Sequence, residues 1–338
     1  MEFQLPISLG ALPQPIRYGD KILLTGSCFT EHIGDALQDW KFNILQNPNG
    51  ILFDVASVAS SLLSYIQPRI YTVDDLIFLN ELWQSWQHHS IFSGTDQDAV
   101  LGRINDSQRK AHAFLKEAEW LIITLGSAFS YRLNPAADSA FRHGVGGTVA
   151  VANCHRAPGK VFVKHLLTIE EIQTALDGCL YQLRYFNPKL KILFTVSPVR
   201  HIRDGVVENN RSKARLLESV HHLVEKFDRL YYFPAYELVI DVLRDYRFYD
   251  IDMVHPNYPA TQFVLEKFTE YGIEPAARPL MEELRKLVLA RRHRPLHPGT
   301  EAHARFRREQ YEKASELARR FPFLDLTQEL NYFKEASL

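Results

Sequence analysis

Three observations in the sequence predict an α/β fold, with a parallel sheet sandwiched by helices. Short apolar runs without polar alternation recur: Ile22-Leu23-Leu24, Trp120 to Leu125, Leu190 to Val196 and Leu230 to Phe233. Strands covered on both faces read this way. Segments with helical spacing stand between these runs from Lys21 to Tyr271, and strand–helix alternation implies parallel pairing. Three of the runs end in small or polar residues, as Gly26-Ser27-Cys28, Gly126-Ser127 and Ser197 to His201. The carboxyl ends of parallel strands are where such folds place their chemistry.

The chain has 338 residues, a net charge of −1 and 46% hydrophobic residues. That allows one large domain with an appendage and ample core. A charge so close to zero gives no reason to expect a nucleic-acid partner. Three cysteines, Cys28, Cys154 and Cys179, make no disulfide framework, and a reducing, cytoplasmic setting is expected. The opening MEFQLPISLGALPQP lacks a basic start and a long apolar run, so it does not read as a signal peptide. No window reaches the roughly 18 apolar residues of a membrane span.

The elements follow in order. Residues 1 to 20 are Pro-rich and read as extended. Lys21 to Gly34 gives a strand, a tight glycine turn and a helix, with Phe29, Ile33 and Leu37 at helical spacing. That helix is expected over Glu31 to Trp40. Asn47-Pro48-Asn49-Gly50 is a turn before Ile51-Leu52-Phe53. Val55 to Ile66 reads as a helix, and Thr72 to Asp75 as a capped helix start. Trp83 to His89 fits strand or loop. Asp98 to Ala118 reads as a helix before the strand Trp120 to Leu125. Asn134 to Lys160, rich in Gly, Asn, Ala and Pro, is expected to form an excursion or small hairpin. Thr168-Ile169-Glu170-Glu171 opens a helix with acidic residues in its first turn, running to about Tyr185. Helices are expected over Arg211 to Phe227, Tyr236 to Val242 and Ala260 to Tyr271. Residues 1–273 form the expected α/β domain. Residues 274–338 form a charged helical extension, with helices near 279 to 292 and 300 to 320.

Four polar clusters are expected on one sheet edge: Ser27-Cys28, Gly126-Ser127, Ser197 to His201 and Asp252 to His255. Nucleophilic acyl chemistry needs a hydroxyl or thiol, a base within reach and a group that orients the base. The spacing of Asp252 and His255 lets a carboxylate hold one imidazole nitrogen while the other faces a nucleophile. A helix N-terminus and a nearby histidine are expected to lower the Cys28 thiol's pKa. The plain alternatives are a glycine turn with buried Ser27 and Cys28, and an Asp252 that only caps a turn. His88-His89, Cys154-His155 and His221-His222 are adjacent pairs whose side chains diverge, and no zinc-type spacing occurs, so no metal is expected. No P-loop or dinucleotide fingerprint is present.

Gly26-Ser27-Cys28-Phe29, followed by Thr30, resembles the signature of the GSCFA family. Thr124-Leu125-Gly126-Ser127-Ala128, Asn153-Cys154-His155-Arg156, Ser197-Pro198-Val199-Arg200-His201 and Asp252-x-x-His255-Pro256 stand in that family's order. The likeness covers roughly residues 4 to 270. GSCFA proteins are similar in turn to SGNH/GDSL hydrolases, which are flavodoxin-like esterases and acyltransferases. That resemblance implies a nucleophile after the first strand, a late Asp-x-x-His, and an oxyanion hole from a second-block glycine and a third-block Asn. Asp252 and His255 match the last block, Gly50 is the second-block glycine, and Gly126 opens the third. Ala128 stands where the Asn is expected, and Asn153 is the substitute. Laid without a gap, the first block puts Cys28 at the nucleophile position; a one-residue shift restores Ser27.

The expected function is therefore an esterase or acyltransferase acting on an acyl group, acetyl first, of a carbohydrate or small metabolite. Cys28 or Ser27 attacks, His255 moves the proton and Asp252 orients it. Gly50, Gly126, Ser127, Asn153, His155, Arg200 and His201 are the expected oxyanion and substrate contacts. No cofactor is expected beyond an acyl donor such as acetyl-CoA in the case of transfer. The alternative is a non-catalytic carbohydrate- or metabolite-binding protein on a degenerate hydrolase fold, with Trp83, Trp86, Phe129 and Tyr131 lining a cleft.

Overall fold

The structure is a computed structural model that describes residues 5–138, 141 and 150–334. The strand β1 (Lys21–Gly26) lies inside the sheet and is covered on both faces, which explains the unalternating apolar run. Leu23 packs into the core on one side of the sheet, while Ile22 and Leu24 pack into the core on the other. The strands β2 (Asn43–Gln46), β5 (Trp120–Leu125), β8 (Lys191–Val196) and β9 (Leu230–Tyr232) complete a five-stranded sheet ordered β2-β1-β5-β8-β9. Every pair in it is parallel. The order reverses between β1 and β5, and open α/β sheets form their binding crevice at such a point.

Helices cover both faces. Against Leu23, Leu121 and Phe194 lie α2 (Val55–Ile66), α3 (Gln97–Glu117), α4 (Ile169–Phe186) and α5 (Val206–Lys226), through residues such as Val58, Leu115, Leu176 and Leu216. Against Ile22, Leu24 and Ile122 lie α1 (Cys28–Asp39) and α7 (Tyr258–Gly272), through Phe29, Ile33, Val264 and Phe268. Between β9 and α7 runs a short turn, α6 (Ala235–Glu237), that widens into a π-helix over Leu238–Leu243. Two hairpins extend from the loops: β3 (Ile77–Leu79) with β4 (Leu82–Gln84), and β6 (Phe129–Leu133) with β7 (Phe162–Leu166). Residues 139–140 and 142–149 of the predicted excursion lie outside the described residues.

The N-terminal segment is clasped to the far end of the chain's main body. Ile16 N–H donates to Gly272 O at 2.8 Å, and Glu274 N–H donates back to Ile16 O at 3.0 Å. Beyond it, α8 (Arg278–Arg292), α9 (Glu301–Arg320) and α10 (Thr327–Lys334) close a separate small core of Leu284, Leu287, Ala314, Leu317 and Phe333. Glu329 of α10 is fully buried between Lys41, at 2.8 Å, and Arg291, at 3.1 Å. Arg292 makes a two-pronged pair with Asp39 at the end of α1, at 2.8 and 2.7 Å.

Several boundaries differ from the sequence reading. The first helix begins at Cys28, not Glu31, so Cys28 occupies its first turn. The second strand, Asn43–Gln46, is a short edge that the sequence reading did not mark. The segment Thr72 to Asp75 forms only one 3-10 turn, Val73–Asp75, with a reciprocal cap between Thr72 and Asp75.

Candidate active site at the strand ends

Gly26 has φ +142, and a Cβ there would lie 2.1 Å from Thr124 O. Only glycine lets the end of β1 press on the end of β5 in this way. Ser27 N–H then donates to Thr124 O at 3.1 Å. Ser27 is fully buried, and its Oγ has no hydrogen-bond partner among the described residues. Cys28 is half-buried. Burial pushes its thiol pKa up, and the Glu31 carboxylate pushes the same way. The backbone N–H groups of Cys28 and Phe29 and the charge of Lys213 pull it down, without prevailing. The expected lowering of this pKa is thus reversed, because desolvation of the thiolate outweighs the helix N-terminus. No histidine is among the largest influences on it.

Gly126 is the close-approach point of the site. A Cβ there would meet Phe53 O at 3.1 Å, His201 Nε2 at 3.3 Å and Ser27 Cβ at 3.3 Å. His201 Nε2 is buried without a hydrogen-bond partner among the described residues. Burial, then Lys213, His255 and Lys164, hold the His201 pKa down to about 3, so the ring is neutral. The N–H groups of Gly126 and Ser127 both donate to Phe53 O at 2.9 Å. Ser127 Oγ accepts from Phe129 N–H at 3.0 Å.

Asp252 and His255 share one loop. His255 Nδ1 lies 2.6 Å from Asp252 Oδ2, while Asp252 Oδ1 accepts the N–H groups of Val254 and His255 at 2.9 and 3.0 Å. These bonds hold the Asp252 carboxyl down to about 2, and the carboxylate fixes the ring while Nε2 stays open. Arg200 fastens this loop to the end of β8: its N–H donates to Val254 O at 3.2 Å, and its guanidinium sits 4.1 Å over the Tyr249 ring. His255 lines a cavity of about 470 Å³ with Phe29, His32, Asp250 and Tyr258. Among the described residues no hydrogen bond joins Cys28 or Ser27 to His255.

Other predicted contacts prove to be occupied by the fold. Gly50 has φ +75, and its N–H donates to Asn47 O at 2.7 Å. A Cβ there would strike His89 Cβ at 2.3 Å. It is a turn glycine whose N–H is already spent, which corrects its reading as an oxyanion donor. The N–H groups of Gly126 and Ser127 are spent in the same way. His155 is buried, and its Nε2 lies 2.8 Å from Ser85 O, which makes it a loop anchor. Asn153 Oδ1 accepts His155 N–H at 2.8 Å. Asn153 also lines a second cavity, of about 460 Å³, with Phe53, Asp54, Ser127, His201 and Arg203.

Sequence reasoning missed Lys213, Asn209, His32 and Asp54. Lys213 is 1% exposed, and its Nζ donates to Gly126 O at 2.7 Å and Ser197 O at 2.6 Å. Burial pushes its pKa down to about 7. The signal was present, since Lys213 falls on the same helical stripe as Leu216, Val220 and Leu223. Asn209, one turn earlier, accepts His201 N–H at 2.8 Å. Asp54 caps α2 by accepting Ala56 and Ser57 N–H at 3.1 Å each. Among the described residues no three His, Cys, Asp or Glu side chains gather where they could hold one ion. No described helix is long and apolar enough to cross a membrane.

Comparison with known proteins gives a family. The model of the GSCFA family matches residues 21–268, and that of the GSCFA domain protein, C-terminal domain, matches residues 284–336. No curated protein matches. Among solved structures, the chain is similar to a family 3 carbohydrate esterase of Clostridium thermocellum, at 9% identity and TM-score 0.33, over 79% of this chain and 98% of that one. It is also similar to an acetyl xylan esterase of the rumen bacterium Butyrivibrio proteoclasticus, at 10% identity and TM-score 0.33, over 75% of this chain and 64% of that one.

Proposed function

The chain belongs to the GSCFA family, and from that premise we propose that it cleaves or transfers a small acyl group, acetyl first, borne by a carbohydrate or small metabolite. The observation that carries the reading is the Asp252–His255 pair. Both oxygens of its carboxylate are engaged, and its imidazole opens on a cavity shared with Phe29, the neighbour of Cys28. Cys28 sulfur attacks the acyl carbonyl as His255 takes the thiol proton. The bond to the leaving alcohol breaks, and His255 returns the proton to that oxygen. Water or a second hydroxyl then opens the thioester in the same way. A thiol held protonated by burial needs such a base at the moment of attack. The N–H groups of Cys28 and Phe29, in the first turn of α1, serve the oxyanion.

Exposure favours Cys28 over Ser27 as the nucleophile. Ser27 is wholly enclosed, whereas Cys28 keeps part of its surface open, and a carbonyl must reach the attacking atom. A second reading has one observation in its favour. Among the described residues Ser27 Oγ and His201 Nε2 are both unpartnered, and both flank Gly126, as expected if Ser27 were the nucleophile. The cavity beside Ser127 mixes the rings of Phe53, Phe129 and Tyr131 with Asp54 and Asn153, a lining suited to a polyhydroxylated ligand.

The test is turnover of p-nitrophenyl acetate and of acetylated sugars by wild type, Cys28→Ala, Ser27→Ala and His255→Ala. Loss in the Cys28 and His255 variants, with an acyl-cysteine trapped by mass spectrometry, is the expected result. Full activity in His255→Ala removes the proposed base, and full activity in Cys28→Ala with loss in Ser27→Ala favours the second reading.

A further inference from the structure

We propose that the cavity beside Ser127 binds the sugar part of the substrate, and that this sugar carries an acidic group, a carboxylate or a phosphate, held by Arg203 and Asn153. This deepens the acyl reading above and rests on it for the bond that is broken. The cavity, of about 460 Å³, has the size of a small-ligand site. It abuts the turn after β1. The Cβ position of Gly126 lies 3.3 Å from Ser27 Cβ and 3.3 Å from His201 Nε2, and His201 lines the cavity. A ligand seated there lies next to the turn that carries both candidate nucleophiles.

The polar groups of the lining say what the ligand must offer. Asn153 Oδ1 is taken by His155 N–H at 2.8 Å, so the free end of this amide is its NH2 group, a donor. Arg203 has no ion-pair or hydrogen-bond partner among the described residues, and a guanidinium only donates. The side-chain oxygens nearby are by contrast engaged. Ser127 Oγ accepts Phe129 N–H at 3.0 Å, and Asp204 is paired with Lys164, so those two charges cancel. Asp54 Oδ1 accepts Ala56 and Ser57 N–H at 3.1 Å each, and burial pushes this carboxyl toward its protonated form. Spare donors beside engaged acceptors fit a group that only accepts, and the Arg203 charge makes an anion the better acceptor. The aromatic wall stands apart from these donors. Phe129 and Tyr131, alternate residues of β6, both line the cavity. Lys164 Nζ lies 4.3 Å and 5.6 Å from their ring centroids and holds the two rings as one surface. Apolar ring surface with a few aimed polar groups is the usual make-up of a small-ligand site.

The test reads binding, not ester turnover. The full chain is titrated by calorimetry with glucuronate, glucose 6-phosphate, glucose and inorganic phosphate. At least one acidic sugar is expected to bind about tenfold or more tightly than glucose and than inorganic phosphate, and the tighter of the two acids tells carboxylate from phosphate. Arg203→Gln, at an exposed position, should weaken that binding about tenfold and leave glucose unchanged. Asn153→Asp keeps an acceptor for His155 N–H but puts an oxygen in place of the donor, and should weaken the acid in the same way. The proposal is overturned if neither acidic sugar binds, or if glucose or inorganic phosphate binds as tightly as the better acid. An Arg203→Gln affinity within about twofold of wild type overturns it as well. Its fate is separable from that of the acyl reading. Acidic sugars bound through Arg203 by a protein without esterase activity would sink the acyl reading and leave this site standing. Turnover that needs Cys28 and His255, with no acidic sugar bound, would do the reverse.

Discussion

The backbone N–H of Arg200 donates to the carbonyl of Val254 at 3.2 Å. That bond fastens the loop after β8 to the loop carrying Asp252 and His255, so the candidate base is held by the sheet and not by its own loop alone. The orientation of the imidazole then depends on Asp252. Replacing Asp252 by Asn keeps the shape and removes the charge that selects the tautomer. Ester turnover should fall about a hundred- to ten-thousandfold, with little change in KM. A loss under threefold would show that His255 needs no orienting carboxylate.

Gly26→Ala should be among the most damaging single changes. Its φ of +142 disfavours any Cβ, and Thr124 O stands 2.1 Å from where the Cβ would be. Backbone strain of about 1–3 kcal/mol adds to a backbone overlap that no rotamer relieves. Urea unfolding should show a loss of at least about 3 kcal/mol, or no folded protein. A near-wild-type midpoint would mean the end of β1 can retreat from β5.

Acid should weaken the fold well above the carboxylate range. His88 is wholly buried, and desolvation holds its pKa down to about 3. His201 is held down likewise. In the unfolded chain each takes a proton near pH 6.5, while in the fold it does not. Their stabilising contribution is complete above pH 6.5 and is lost as the pH falls toward 3. At pH 5 His88 alone should cost about 2 kcal/mol relative to neutral pH. Urea midpoints at pH 7.5 and pH 5 measure this, and a flat response would mean these rings are protonated in the native state.

Glu329→Gln should loosen the helical extension from the sheet. The carboxylate is fully buried, and Lys41 and Arg291 both close on it. Removing its charge leaves two cations facing each other in a partly buried setting, at a cost of about 3 kcal/mol. Limited proteolysis between α8 and α9, with thermal unfolding alongside, is the readout. Equal cleavage rates in the two proteins would mean the apolar core around Leu284 and Leu317 suffices.

The sheet was legible wherever burial was symmetrical. Trp120 to Leu125 matches its strand residue for residue because both faces are covered and nothing polar interrupts it. Thr168 and Glu171 form the reciprocal cap that their spacing promised. β2 escaped notice because a four-residue edge strand with Asn43 and Gln46 at its ends has almost no apolar pattern. α5 begins five residues before the predicted start, since Val206 and Val207 point to solvent and Gly205 offers no capping side chain. The contact between Asp252 and His255 was legible in their three-residue spacing, because one loop supplies both. Gly50 misled for a physical reason: a glycine required by φ looks the same in sequence as one that offers its N–H. Lys213 was passed over because a lysine in a helix normally faces water, and only its register with Leu216 and Val220 marked it otherwise.

The position of β1 fixes when this molecule can begin to exist. Its first partner, β2, is a short edge, while β5 lies far along the chain, with Lys21 and the Glu119 that accepts its N–H 98 positions apart. Of the five strands of this sheet, the one made earliest is therefore an interior one. It must wait, apolar on both sides, for about a hundred residues to be made, and assembly of such long-range parallel pairings is slow. Truncated chains ending before Trp120 should accordingly engage chaperones or aggregate, with the GSCF turn unformed.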